Sequence, residues 1–295
     1  MTAPHSSFEK TVQLAKSISK GLSSRYPLLS SDRRVGASIG IAICEEGSQP
    51  ESVLREADLA LYRAKRDGRN CFRFFEAAMD KEVRDRGKLE SDLRAAIENG
   101  QIEPYYQPII NLKDQTVVAF GILSRWSRDS ANVIEPSVFI PLAEDMGLMD
   151  DLTFAVLRQA CKDAQQWPDQ ISLSLNISPA QIQNRNLPYR ILAVLSEFGF
   201  SSARLQIEIT ENALVNDMPS ARCALGILAS AGIRLALDDY GTGYSSLYHL
   251  RELRFDKIKI DRSFIAAMDT KPDIVKMIEA ILAMRTSLHM KASAH

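Results

Sequence analysis

Two adjacent carboxylates, Asp238 and Asp239, stand at the end of an apolar run from Ile233 to Leu237. A glycine-broken loop follows, with Gly241, Thr242 and Gly243, and then a segment opening with Ser245 and Ser246. The pattern is strand, loop, helix start, with acid at the carboxyl end of the strand, where α/β folds carry their chemistry. Side-by-side carboxylates repel unless a proton or a cation intervenes, so a divalent metal is one reading. An N-cap followed by a turn is the other, because Asp and Gly favour both.

Three further runs repeat the arrangement. Side chains alternate faces along a strand. Ser172, Ser174 and Asn176 therefore share one face of their run, and Gln206, Glu208 and Thr210 share one face of the next. Arg234, Ala236 and Asp238 follow, then Lys257, Lys259 and Asp261. The opposite faces are Leu, Ile and Ala, suited to packing against helices. If these strands form a barrel, the polar faces point inward. Asn176, Glu208, Asp238, Asp239, Lys259 and Asp261 then meet at its mouth as an oxygen-rich site with a single lysine. Hard oxygen donors of this kind suit Mg²⁺, Mn²⁺ or Ca²⁺.

The elements that must position these residues are legible from periodicity. Strands are expected over 103–110, 117–126, 171–177, 205–210, 233–238 and 257–261, with helices over 137–144, 151–166, 190–198, 219–231, 245–253 and 272–288. Alternating β and α over this length implies parallel strands in an α/β TIM-type barrel. The first two strands are joined only by the turn 111–115, too short for a parallel crossover, so that pair is expected to be antiparallel. Ahead of the barrel, 8–22 and 50–67 read as helices, and 35–44 and 71–75 as strands, with Gly68 as a C′ glycine. This is a small α/β unit over 1–76. A charged connecting helix over 77–100 leads to the barrel over 101–295.

The 295 residues suffice for about two domains. A net charge of −1 gives no bulk electrostatic case for binding a nucleic acid polymer or an acidic membrane. Cys44, Cys71, Cys161 and Cys223 are scattered without CxxC spacing and read as buried small apolar residues of a reduced, cytoplasmic protein. The start carries no apolar core of a signal peptide, and no apolar run approaches the roughly 18 residues of a membrane span.

Two resemblances follow from the motifs. SIGIAI (38–43) with ADLALYRAKRDGRN (57–70) resembles the carboxyl-terminal half of a GGDEF domain, the diguanylate cyclase family. The glycine-rich turn that names that family does not occur here, so the segment is read as a structural remnant without cyclase activity. YYQPI (105–109), LSLNISP (173–179), IEITE (207–211), DDYGTGYSSL (238–247) and DKIKIDRSF (256–264) stand in the order of an EAL domain. That family is the cyclic di-GMP phosphodiesterases, and the resemblance implies a TIM-like (β/α)8 barrel with an antiparallel first strand. It also implies Mg²⁺ or Mn²⁺ on Asn176, Glu208, Asp238 and Asp239. Lys259 would contact the attacking water and Glu211 would brace the loop from Asp239 to Ser246; Asp261, placed by strand alternation, is counted with them as catalytic. Gln107, Leu123 and Arg125 would hold cyclic di-GMP, and surfaces near that loop would carry a homodimer.

The match breaks at two places. Before Arg125 and Trp126 the chain reads Gly121, Ile122, Leu123, so glycine stands where the family has its metal-binding glutamate. HMKASAH (289–295) lies where the seventh strand is expected, with His295 at an acidic position, and the barrel is expected to be incomplete beyond it. Three functions remain open: a degenerate module that binds cyclic di-GMP and regulates, a phosphodiesterase yielding pGpG, and a scaffold that binds no nucleotide.

Overall fold

The computed structural model describes residues 8–22, 25–28, 31–34, 36–129, 132–241, 253–288 and 290–294. The chain divides into two compact units, Met1–Ser91 and Asp92–His295.

The first unit contains α1 (Phe8–Leu22), the antiparallel pair β1 (Arg25–Leu28) and β2 (Ser31–Arg34), β3 (Ile39–Ile41), α2 (Pro50–Arg66) and β4 (Phe72–Phe74). α2 connects β3 to β4, which pair in parallel. Pro50 opens α2, where a missing N–H costs nothing, and Gly68 follows it with φ +103°. The strand expected over 35–44 is only three residues long in β3, because β4, its partner among the described residues, is equally short; Cys44, past the end of β3, is exposed where burial was expected, and so is Cys223 on its helix. Small residues there serve close approach. A Cβ on Gly40 would lie 2.0 Å from the Ala57 carbonyl oxygen of α2. α3 (Ala77–Glu98) carries the chain across the division between the units.

The second unit begins with β5 (Ile102–Ile110) and β6 (Val117–Asp129), followed by β7 (Asn132–Ile134), α4 (Pro136–Asp145), α5 (Met149–Asp163), β8 (Ser172–Ile177), α6 (Pro179–Ile182) and α7 (Leu187–Glu197). Next come β9 (Leu205–Thr210), α8 (Glu211–Asn216), α9 (Met218–Ser230), β10 (Arg234–Tyr240), β11 (Lys257–Ile260), α10 (Arg262–Ala267), α11 (Pro272–Ser287) and β12 (Lys291–Ala294). The sheet runs β12-β11-β10-β9-β8-β6-β5, with β7 added antiparallel to β6. β5 and β6 are antiparallel, and the path from β6 to β12 is parallel. This is a TIM-like α/β sheet, curled into a half barrel, with β5 and β12 at its edges among the described residues.

The expected antiparallel start follows from its turn. Asn111 N donates to Thr116 O and Gln115 N to Asn111 O, both at 2.8 Å, and Gln115 takes φ +58°. The outward faces of β8 to β11 hold Leu173, Leu175, Ile177, Leu205, Ile207, Ile209, Leu235, Leu237, Ile258 and Ile260, all buried. Each such side chain contributes about 1.5–3 kcal/mol when removed from water. One face is thereby fixed against the helices, and period two sends the polar set to the concave face.

Candidate functional site

β8 ends in a well-anchored turn. Ser178 caps α6: its Oγ accepts from Gln181 N at 3.4 Å, while Gln181 Oε1 accepts from Ser178 N at 3.1 Å. The buried Gln181 amide also donates to Asp150 Oδ1 at 3.0 Å and Thr153 Oγ1 at 3.1 Å, tying the turn to α5. This fixes the strand end that presents Asn176, which is exposed.

One register line across the concave face is Gln107, Gly121, Ser174, Gln206 and Arg234. A second is Asn176, Glu208, Ala236, Lys257 and Lys291. Glu208 and Lys259 lie at the centre, 3% and 4% exposed. Lys259 Nζ donates to Glu208 Oε2 at 2.6 Å and to Asp238 Oδ2 at 2.8 Å. Ser174 Oγ donates to Glu208 Oε1 at 2.5 Å, and Gln206 Nε2 donates to the same oxygen at 3.0 Å and to Ser174 Oγ at 2.7 Å. Asp238 Oδ1 accepts from Asp239 N at 2.9 Å. Both oxygens of each buried carboxylate are therefore engaged, as burial of charge requires. Ser174 and Gln206 read from sequence only as polar lining, yet they set the Glu208 rotamer.

The Asp-Asp pair sits on a bulge. Leu237 pairs with Ile258 and Tyr240 with Ile260, so β10 carries one extra residue against β11. Asp239 takes φ +52° there, which separates its direction from that of Asp238. Gly241 follows with φ +102°, and a Cβ on it would lie 2.8 Å from Phe264 Cζ. Gly241 N donates to Glu211 Oε2 at 3.4 Å, so buried Glu211 holds the start of the loop. The remainder of that loop (242–252), including Ser246, the surface expected to carry a homodimer and most of the helix expected over 245–253, lies outside the described residues, as does His295.

The remaining residues are placed as follows. Asp261 caps α10: its Oδ1 accepts from Ser263 N at 2.9 Å and from Ser263 Oγ. These hydrogen bonds, the side-chain one foremost, hold its carboxyl below the usual range. Gln107 is exposed and stands opposite Gly121, and Leu123 opposite Tyr105. Arg125 donates to Ser124 O at 2.9 Å, and its guanidinium lies 5.7 Å from the Tyr105 ring centroid. Tyr105, 52% exposed beside Arg125, was not singled out by sequence reasoning. An exposed aromatic within YYQPI was the available signal.

Gly121 takes an ordinary negative-φ strand conformation, and a Cβ there would meet only Gln107 O at 3.8 Å and Gln107 Cβ at 3.9 Å. The backbone leaves room for a side chain at this position. Asn176, Glu208, Asp238 and Asp239 are chemically suited to a hard divalent cation. As arranged they do not fit one. The Lys259 ammonium already spans Glu208 and Asp238 as their cation, and Gly121 supplies no oxygen beside Ser174.

Comparison with known proteins identifies the family to which this fold belongs. The EAL domain model matches residues 90–295, and the diguanylate cyclase GGDEF domain model matches residues 2–71. A signaling protein of Caulobacter vibrioides is 38% identical over 96% of this chain and 35% of its own length. The bifunctional diguanylate cyclase/cyclic di-GMP phosphodiesterase MucR of Pseudomonas aeruginosa is 32% identical over 95% of this chain and 42% of its own length. The chain thus spans well under half of these relatives. A solved structure of the PaMucR phosphodiesterase in complex with c-di-GMP superposes with a TM-score of 0.66 at 31% identity, covering 70% of this chain and 85% of that one.

Proposed function

Because this chain belongs to the EAL domain family, we propose that its half barrel binds cyclic di-GMP and acts as a regulatory module that hydrolyses the nucleotide slowly if at all. One observation carries the reading. Gly121 brings no carboxylate to Ser174, while Lys259 bridges the two buried carboxylates that a metal would need. Binding asks less of the site than hydrolysis does. The concave face at β5 and β6 offers Gln107, Leu123 and Arg125, and Tyr105 adds a flat surface for a base. Stacking of one base on an aromatic ring is worth about 1–3 kcal/mol. In this reading Lys259, Glu211 and Asp261 keep the framework: Lys259 closes the carboxylate pair, Glu211 holds the loop at Gly241, and Asp261 caps α10.

The rival is a phosphodiesterase yielding pGpG with Mg²⁺ or Mn²⁺. Its support is the activity named for MucR, at 32% identity. Calorimetric titration of cyclic di-GMP into the whole chain, with and without Mg²⁺, separates the two when the same mixtures are assayed for pGpG. Saturable binding under both conditions, with little product at high protein concentration, is expected. Binding should also raise stability by about 2.7 kcal/mol at a hundredfold excess over Kd. Rapid pGpG formation that disappears in Glu208→Gln establishes the enzyme instead, and folded protein that neither binds nor cleaves is a scaffold.

A further inference from the structure

We propose that Arg234, Lys257 and Lys291, at the amino-terminal ends of their strands on the concave sheet face, form a site for a phosphate-bearing anion such as pyrophosphate. Lys257 and Lys291 are direct register partners on β11 and β12. Arg234 lies one strand away on β10, two residues before Ala236, the partner of Lys257. Side chains at paired parallel positions share a face, and neighbouring strands lie about 4.8 Å apart. Lys257 and Lys291 therefore stand side by side, with exposed Arg234 one strand and two residues away, on the face that carries Glu208 and Lys259.

Among the described residues, none of the three makes an ion pair or a side-chain hydrogen bond. The polar neighbours direct their hydrogen bonds to other groups, and Asp256 keeps one exposed carboxylate oxygen. Asp256 Oδ2 accepts from Leu235 N at 2.8 Å. Gln206, the register partner of Arg234, gives its amide to Ser174 and Glu208. Both oxygens of Glu208 are likewise held. Lys257 is half-buried, and burial first, then the charges of Lys259, Lys291 and Arg234, push its ammonium below the ordinary lysine range against the pull of Glu208. Three like charges on adjacent strands repel one another, and an anion with several oxygens relieves all three at once. The bulk charge of the chain is only −1, so the attraction belongs to this place and not to the molecule as a whole.

The inference stands whether or not the dinucleotide binds near Arg125. Thermal unfolding of the whole chain is measured without divalent ions, with 1 mM pyrophosphate against sodium chloride of equal ionic strength. A rise in Tm of about 3 °C or more is expected with pyrophosphate. The rise should vanish in Lys257→Met and in Lys291→Gln and persist in Arg125→Ala. Without polyanion, Lys257→Met should itself raise Tm, because it removes one of the repelling charges. No rise over the chloride control overturns the proposal. So does a rise that survives both lysine substitutions, or one that disappears only in Arg125→Ala, which would put the anion elsewhere on the face.

Discussion

At the scale of single residues, the centre of the site is a buried lysine shared by two carboxylates. Lys259 reaches Glu208 at 2.6 Å and Asp238 at 2.8 Å, and Ser174 and Gln206 complete the shell of Glu208. Such a pair adds little net stability over an apolar equivalent, but removing one partner strands the other in a low-dielectric interior. Lys259→Met leaves two buried carboxylates without their cation. It is expected to cost about 3–5 kcal/mol, measured by urea unfolding of the whole chain. A cost below about 1 kcal/mol, the range of exposed pairs, would show that water reaches the site and that Lys259 is not its internal cation. The identities of Glu208, Asp238 and Lys259 were readable from alternation along the strands. Their convergence followed from the same alternation; which oxygens Lys259 reaches did not, because that depends on how far β9, β10 and β11 are staggered.

At the scale of elements, the long strands and helices were readable because one face of each strand is continuously apolar. Leu205–Thr210 stands as expected, and the antiparallel β5–β6 pair followed from a turn too short to cross over. Short strands at 72–74 and 257–260 were also read, but other short elements were not. The antiparallel pair β1–β2 has a proline and a run of charges in place of alternation, and β7 spans three residues that pair, among the described residues, with β6. α8 and α10 begin directly at strand ends, where Glu211 and Asp261 looked like site acids and not like helix starts. The bulge at Asp239 is likewise a tertiary result. It places an aspartate at φ +52° and leads into Gly241, whose absent Cβ admits the Phe264 ring. Gly241→Ala combines a left-handed backbone with a 2.8 Å approach to Phe264 Cζ. It should cost about 1–3 kcal/mol and weaken cyclic di-GMP binding only if the loop takes part. An unchanged unfolding midpoint would mean that Phe264 swings aside without penalty.

At the scale of the whole molecule, an EAL domain matched over residues 90–295 follows a GGDEF match over residues 2–71, and the structure separates into compact units at Ser91 and Asp92. Among the described residues no helix is long and apolar enough to cross a membrane. The fold of an EAL domain is retained across the sheet while one position in it, Gly121, lacks the acidic side chain that the resemblance assigns there. Function is set by such positions and not by the barrel. A Cβ added at Gly121 would find its nearest atoms 3.8 Å and 3.9 Å away, ordinary contact distances for the first atom of a side chain.

That makes Gly121→Glu the most direct measurement. The initial rate of pGpG formation from cyclic di-GMP is compared between the substituted and the natural chain, with Mg²⁺, at equal folded protein. Slow or undetectable turnover in the natural chain is expected, with a gain of at least about tenfold on substitution, equivalent to about 1.4 kcal/mol of barrier. Rapid turnover by the natural chain, unchanged or reduced by Gly121→Glu, would contradict the binding-module assignment and make the protein a working phosphodiesterase.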